Sequence, residues 1–159
     1  MRRRLRRTTT HESTRHITNV SNEAGLDSAG LTFHHVGVAC RNFDVEARTF
    51  AMLGYRPEGP DFHDTIQGIH GRFLIGAGPR LELLRNEAEP GVLTPWLKKG
   101  IRFYHLAYEA VDLSREMSNL ERVGAKCIVP PVPAVAFGGR SITFFMMPNV
   151  TLIELISGR

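Results

Sequence analysis

The chain has 159 residues, of which 42% are hydrophobic and 23% charged, and a formal net charge of +4; this is the balance of one globular domain of ordinary size. No run approaches the ~20 apolar residues needed to cross a bilayer, and the N-terminus lacks the apolar stretch of a secretory signal, so a cytoplasmic protein without a membrane partner is expected. The positive charge is concentrated: residues 1–30 carry six arginines against three acids, whereas the rest of the chain is nearly balanced at +1, which argues against a nucleic-acid-binding face on the fold.

Residues 1–30, "MRRRLRRTTTHESTRHITNVSNEAGLDSAG", combine few apolar residues with many Ser and Thr and show no sustained period. They read as a disordered basic tail, with a transit peptide or a polyanion contact as the sharper alternatives. From residue 31 the chain repeats itself. "FHHVGVACRNFDVEARTFAMLGYRP" aligns with "FYHLAYEAVDLSREMSNLERVGAKC" at an offset of 70, which superposes His35 on His105, Asn42 on Asp112 and Gly54 on Gly124. Each segment predicts a strand, an Asn or Asp helix cap, a helix with apolar residues at i, i+4 and i+7, and a glycine stop.

Strand-rich stretches follow, "QGIHGRFLIGAGPRLELLRN" and "AFGGRSITFFMMPNVTLIELIS", each split by a Gly- or Pro-containing turn as in a hairpin. "IVPPVPAV" suits an edge or linker better than a central strand, because proline gives no hydrogen to a ladder. Between the copies, "NEAEPGVLTPWLKKG" predicts a short helix with Thr94 as N-cap and Pro95 at its first position. The repeat predicts an α+β fold of two copies of one half-sheet curled together, with module one at 31–85, a linker at 86–100 and module two at 101–159. Cys40 and Cys127 match no metal or redox spacing and read as reduced packing residues.

The functional signal is a carboxylate in an apolar strand, found twice. "RLELLRN" centres on Glu82 and "TLIELIS" on Glu154; the separations are 47 residues from His35 to Glu82 and 49 from His105 to Glu154. A buried ionised Glu needs a charge partner, and the repeat brings two imidazoles and two carboxylates toward one cleft. His35, Glu82, His105 and Glu154 therefore read as ligands of one divalent transition metal ion (Zn, Ni, Co, Mn or Fe), a set too rich in nitrogen for calcium; no organic cofactor is expected. His34, His63 and His70 have no counterpart in the repeat and read as structural or surface residues, the last two near the cleft rim.

These residues resemble the vicinal oxygen chelate superfamily, which includes glyoxalase I, methylmalonyl-CoA epimerase, extradiol dioxygenases and antibiotic-resistance proteins. The resemblance covers residues 33–157 through "HHVGVA", "LELL", "YHLAYE", "FGGRSITFF" and "LIELI", and it implies an α+β fold of two paired βαβββ modules forming a cup-shaped mixed sheet around a metal site, with the same four residues as metal ligands. Within the superfamily, "TPWLKKGIRFYHLAYE", the "QG" at Gln67 and Gly68, and Gly138, Gly139 and Arg140 look most like methylmalonyl-CoA epimerases. The implied function is a metal-dependent isomerase or epimerase moving a proton alpha to a carbonyl, with Glu82 and Glu154 as catalytic groups. Its small-molecule substrate would be an acyl-CoA or other acyl thioester, met by Gln67, Gly138, Gly139 and Arg140, and the likeness also implies a homodimer. A glyoxalase I-like lyase, an extradiol-type dioxygenase and a ligand-binding protein of the same fold are the alternatives. Where epimerases place acids before the "QG", one of them a base, this chain has Thr65 and Ile66, with Asp64 out of register.

Overall fold

The computed structural model describes residues 30–159; the expected disordered tail, Gly30 apart, lies outside the described residues. The first half runs β1 (Leu31–Ala39), α1 (Phe43–Ala51), β2 (Arg56–Asp64), β3 (Ile69–Ile75) and β4 (Leu81–Asn86). A linker helix, α2 (Thr94–Lys98), leads into β5 (Phe103–Ala110), α3 (Leu113–Arg122), β6 (Lys126–Pro133), a 3₁₀ turn (Val135–Phe137), β7 (Ser141–Met146) and β8 (Leu152–Ser157). All eight strands join one open sheet in the order β2-β3-β4-β1-β5-β8-β7-β6. Each half is a βαβββ module whose first and last strands pair in parallel, and β1 and β5 pair antiparallel at the centre. Among the described residues no helix is long and apolar enough to cross a membrane.

Local chemistry explains the repeat. Asn42, in extended backbone, accepts from the N–H groups of Asp44 and Val45 at 2.9 and 3.1 Å, and Asp112 accepts from that of Arg115 at 3.0 Å. Both side chains satisfy helix N–H groups that have no intrahelical partner. Gly54 and Gly124 then hold φ near +81° and +84° beyond the helix ends, a conformation that disfavours any Cβ. The proline-rich β6 is an edge strand, as its composition requires.

Helices α1 and α3 cover the outer face. There Phe43 of α1 packs on Val38, Cys40, Leu74, Leu81 and Leu83, each buried aliphatic contributing about 1.5–3 kcal/mol by leaving water. The inner face carries apolar clusters around Leu84, Leu93 and Leu97 in one half and Phe144, Leu152 and Ile156 in the other. Two expectations are corrected. Thr94 is not the cap of α2 but its first residue, because its hydroxyl is committed backward to the Gly91 N–H, the Asn86 amide and the Glu89 carboxylate. Cys127 is not a packing residue: it sits exposed on the edge strand, whereas Cys40 is buried in the core.

The matched caps give a direct expectation. Asn42→Ala and Asp112→Ala should each lower the unfolding free energy by about 1 kcal/mol, measured by denaturant titration; a loss at only one site would break the equivalence of the two βα units.

Candidate metal centre

The site is built by strand register. On β1 and β5, His35 lies opposite Ala107 and Gly37 opposite His105, so the central pair maps onto itself under the offset of the sequence repeat. Gly37 also pairs with Glu82 on β4, and Ala107 with Glu154 on β8. Each carboxylate therefore stands one strand away from a small residue, with an imidazole on that residue's other side. The small residue is needed: a Cβ on Gly37 would lie 2.3 Å from Cε1 of the His105 ring. Two register shifts in the β1–β5 ladder, at His34 and at Tyr104, are bulges that turn each of these side chains toward the neighbouring histidine.

Sequence reasoning brought together His35, Glu82, His105 and Glu154, and the structure does place them in one buried cluster. His35 Nε2 is 3.0 Å from Glu82 Oε2, 3.4 Å from Glu154 Oε2 and 3.0 Å from His105 Nε2. His105 Nε2 is 3.6 Å from Glu82 Oε2 and 3.5 Å from Glu154 Oε2, and all four donor atoms lie within 4.8 Å of one another. A cation bound at about 2.1 Å sets neighbouring donors ~3.0 Å apart in an octahedron and ~3.4 Å apart in a tetrahedron, so the spacing fits a divalent ion. Glu154 Oε2, buried beside both imidazoles, has no hydrogen-bond partner among the described residues, which is the state of an atom a cation would satisfy.

Burial shapes the charges. It pushes Glu82 up to about 7 and raises Glu154 well above the usual carboxylate range, the negative charge of Glu82 adding to the latter. It also holds His35 and His105 down at about 3, because an ion in this cluster has lost its water. The surrounding shell is aromatic: Phe73 is 5.6 Å from the His35 ring and Phe144 is 5.3 Å from the His105 ring, centroid to centroid. Phe73 flanks Glu82 on β3 and Phe144 flanks Glu154 on β7, the same place in each module.

His34 was read only as structural or surface, and it touches the site. Arg80 Nη1 donates to its Nε2 at 3.1 Å, so the neutral ring donates from Nδ1 to His35 Nδ1 at 2.8 Å, and ligation through His35 Nε2 would require this pair to exchange tautomers. The signal was present as the repeated doublets His34-His35 and Tyr104-His105, but only the bulges give it meaning. His63 and His70 stack at 4.3 Å on the outer part of β2 and β3, with Glu87 2.7 Å from His63.

Above the donors lies a cavity of about 20 Å³ bordered by Gln67, Tyr104, Phe137, Phe144 and both carboxylates, room for about one water. Of the residues expected to meet substrate, Gln67 borders it directly. Gly138 and Gly139 lie exposed at positive φ beyond the 3₁₀ turn. Arg140 is largely buried and donates to Glu109 and to the Ser157 carbonyl oxygen at 2.5 and 3.0 Å. Asp64 was set aside as out of register, yet it is 0% exposed. Its Oδ1 accepts from the N–H groups of Ile66 and Gln67, and its Oδ2 from the Gln67 amide and the Val135 N–H. Both oxygens are committed, so this carboxylate does not stand in for the acid absent at Thr65 and Ile66.

With this geometry in view, the glyoxalase/bleomycin resistance protein/dioxygenase superfamily model matches residues 34–144, well over half of the chain. No curated protein matches. Similar solved structures include methylmalonyl-CoA epimerase from Mycobacterium tuberculosis, 24% identical with a TM-score of 0.66 over 80% of this chain and 87% of that one. A variant of the Streptomyces coelicolor methylmalonyl-CoA epimerase in complex with 2-nitronate-propionyl-CoA is 23% identical, TM-score 0.65, over 79% and 96%. A hypothetical protein from Bacillus halodurans is 21% identical, TM-score 0.68, over 81% and 95%.

Metal binding should depend on pH in a defined direction. The folded Glu82 lies above its unfolded value of 4.5, so its stabilising contribution is complete below 4.5 and is lost as pH rises through about 7; Glu154 acts in the same sense. The imidazoles contribute fully above 6.5 and lose that contribution as pH falls toward 3. Metal-free protein should therefore be most stable between 4.5 and 6.5 and lose melting temperature above about 7. Because a cation displaces the carboxyl protons, the rise in melting temperature on adding zinc should be larger at about pH 8 than at about pH 6; an increment that shrinks with pH would contradict the donor set. Separately, Gly37→Ala should push the His105 ring aside and weaken zinc affinity at least ~10-fold with the fold retained, measured by competition with a chromophoric chelator. Unchanged affinity would show that Gly37 does not make room for the ligand.

Proposed function

We propose, from the premise that the chain belongs to the glyoxalase/bleomycin resistance protein/dioxygenase superfamily, that it is a metal-dependent isomerase or epimerase moving a proton on the carbon next to a carbonyl. The observation that carries this reading is the pair of buried carboxylates, Glu82 and Glu154, delivered by equivalent strands of the two modules to either side of two imidazoles. We read the substrate as an acyl thioester, an acyl-CoA in particular, a reading supported by the epimerase neighbours, one of which is in complex with 2-nitronate-propionyl-CoA.

In this reading His35, Glu82, His105 and Glu154 hold one divalent transition metal ion, which would act as a Lewis acid on the carbonyl oxygen and so acidify the neighbouring C–H bond. One Glu takes the proton from carbon onto a carboxylate oxygen, and the other returns a proton to the opposite face. Burial raises both carboxylates in the metal-free protein, and a bound cation would lower them again, so the carboxylates would be ionised and able to accept a proton once the metal is held. Phe137 and Phe144, which border the cavity, keep water from the reacting carbon. Gln67 meets the acyl group at the cavity wall, while Gly138, Gly139 and Arg140 form the approach. An extradiol dioxygenase reading uses two His and one carboxylate and leaves the second Glu without a role.

Zinc-, cobalt- or nickel-loaded protein should exchange the α-hydrogen of a 2-substituted acyl-CoA with deuterium from solvent and consume no oxygen. Glu82→Gln or Glu154→Gln should slow exchange by at least ~10², the lower end for a general acid or base. Exchange confined to α-hydroxycarbonyl compounds would move the reading to a lyase, and oxygen uptake with a catechol to a dioxygenase. With Thr65 and Ile66 in place of acids, methylmalonyl-CoA should turn over more slowly than a larger or differently substituted ester.

A further inference from the structure

Two loops meet above the cluster of donors. One is the β2–β3 turn, Asp64 to Gly68, from module one; the other is the 3₁₀ turn Val135–Phe137 with Gly138 and Gly139, from module two. The second carries the roof: Ala136 and Phe137 border the 20 Å³ cavity, and the Phe137 ring lies 6.0 Å from that of His35, tilted by 31°. The first supplies Gln67 to the same cavity. Asp64 joins them.

Its two oxygens have separate duties. Oδ1 accepts from the N–H groups of Ile66 and Gln67, both at 3.0 Å, and folds the turn on itself. Oδ2 accepts at 3.1 Å from the Gln67 side-chain amide and at 3.1 Å from the Val135 N–H, which ties the turn to the other module and fixes Gln67. With the amide nitrogen committed to Asp64, the Gln67 carbonyl oxygen is the end of the side chain left for the cavity. The loops flanking the latch have the conformational freedom to move: Gly68, Gly138 and Gly139 hold φ of 66°, 66° and 86° with no atom within 4 Å of where a Cβ would stand.

We propose that Asp64 is a latch and positioning residue: through Oδ2 it closes the roof over the metal centre and sets Gln67 in the wall, and parting of the Asp64–Val135 bond admits the ligand. A cavity with room for about one water cannot receive an acyl group while the roof is shut. Gly68 and Gly138–Gly139 take up the change in backbone angle as the two loops separate, and closure behind the substrate excludes water from the reacting carbon. The inference rests on the same cavity as the proposed reaction, but its test does not need that reaction.

Asp64→Asn divides the two duties. An asparagine oxygen can keep the turn, while its amide nitrogen places a donor against the Val135 N–H and the Gln67 amide. Zinc release from the full-length variant into excess chelator should then be at least ~10-fold faster than from the parent, the factor that loss of a hydrogen bond to a charged group carries. Zinc association should accelerate to a similar degree, so that equilibrium affinity stays within about twofold; a variant that merely damaged the donors would lose affinity instead. Hydrogen exchange at the Val135 amide should quicken, with Ile66 still protected. Zinc release and association at parental rates would overturn the latch, as would a loss of affinity in place of faster exchange. Should zinc not bind the parent at all, the donor assignment falls, and Val135 exchange in metal-free protein still decides whether Asp64 holds the roof. Rapid zinc gating with no α-hydrogen exchange on any ester would keep the latch and remove the proposed reaction.

Discussion

Two carboxylates and two imidazoles share a volume from which water has been removed, and the rest of the structure is arranged around that constraint. An ionised carboxylate stripped of solvent costs several kcal/mol even after relaxation, and Glu82 and Glu154 each raise the difficulty for the other. The protein has two ways out, to protonate the acids or to hold a cation among them. Both leave the cluster near neutrality. The strands supply rigidity, because a donor fixed at each end of a ladder cannot swing out to solvent as a loop residue would. The phenylalanines deepen the effect by keeping the dielectric low, which strengthens the attraction of any cation for the same donors.

The duplication accounts for the donors but not for the shell around them. Position for position, β1 and β5 offer His35 and His105, Gly37 and Ala107, and matching bulges at His34 and Tyr104. What stands behind the bulges differs. His34 is backed by Arg80, which is paired with Glu58, whereas Tyr104 packs edge-on against Trp96 of the linker helix at 5.3 Å. One end of the cup is thus polar and the other apolar. In the proposed reaction the four pseudo-symmetric residues would treat the two faces of a trigonal carbon alike, and any discrimination between them would have to come from this unequal surround.

The fold and the clustering of His35, Glu82, His105 and Glu154 were legible in the sequence because each rests on a pattern carried by the chain itself. Asn42 and Asp112 announce helices, three prolines mark β6 as an edge, and the paired His and Glu spacings mark the four residues that converge. The residues missed are those whose role depends on what lies across a strand or between modules. Gly37 reads as an ordinary glycine until β5 places the His105 ring against it. Asp64 reads as an acid displaced from a motif until Val135, 71 residues on, is seen donating to it. Thr94 has the right type for a cap, but three groups from the preceding loop reach its hydroxyl first. Local propensity fixes what a residue can do, and tertiary contact selects among the options.

The same contacts narrow the chemistry open to the cavity. Its titratable lining consists of Glu82, Tyr104, His105 and Glu154. Burial pushes the Tyr104 hydroxyl up to about 12, with both carboxylates adding to the effect, and holds His105 at about 3, so the first does not ionise near neutral pH and the second is a weak base. Asp64 has both oxygens engaged, and Thr65 and Ile66 carry no group that titrates. A proton moved within this cavity has Glu82 and Glu154 as its carriers. In the proposed reaction the two side chains that would hold the metal would also carry the proton, so any change that repositions one of them must also change the base.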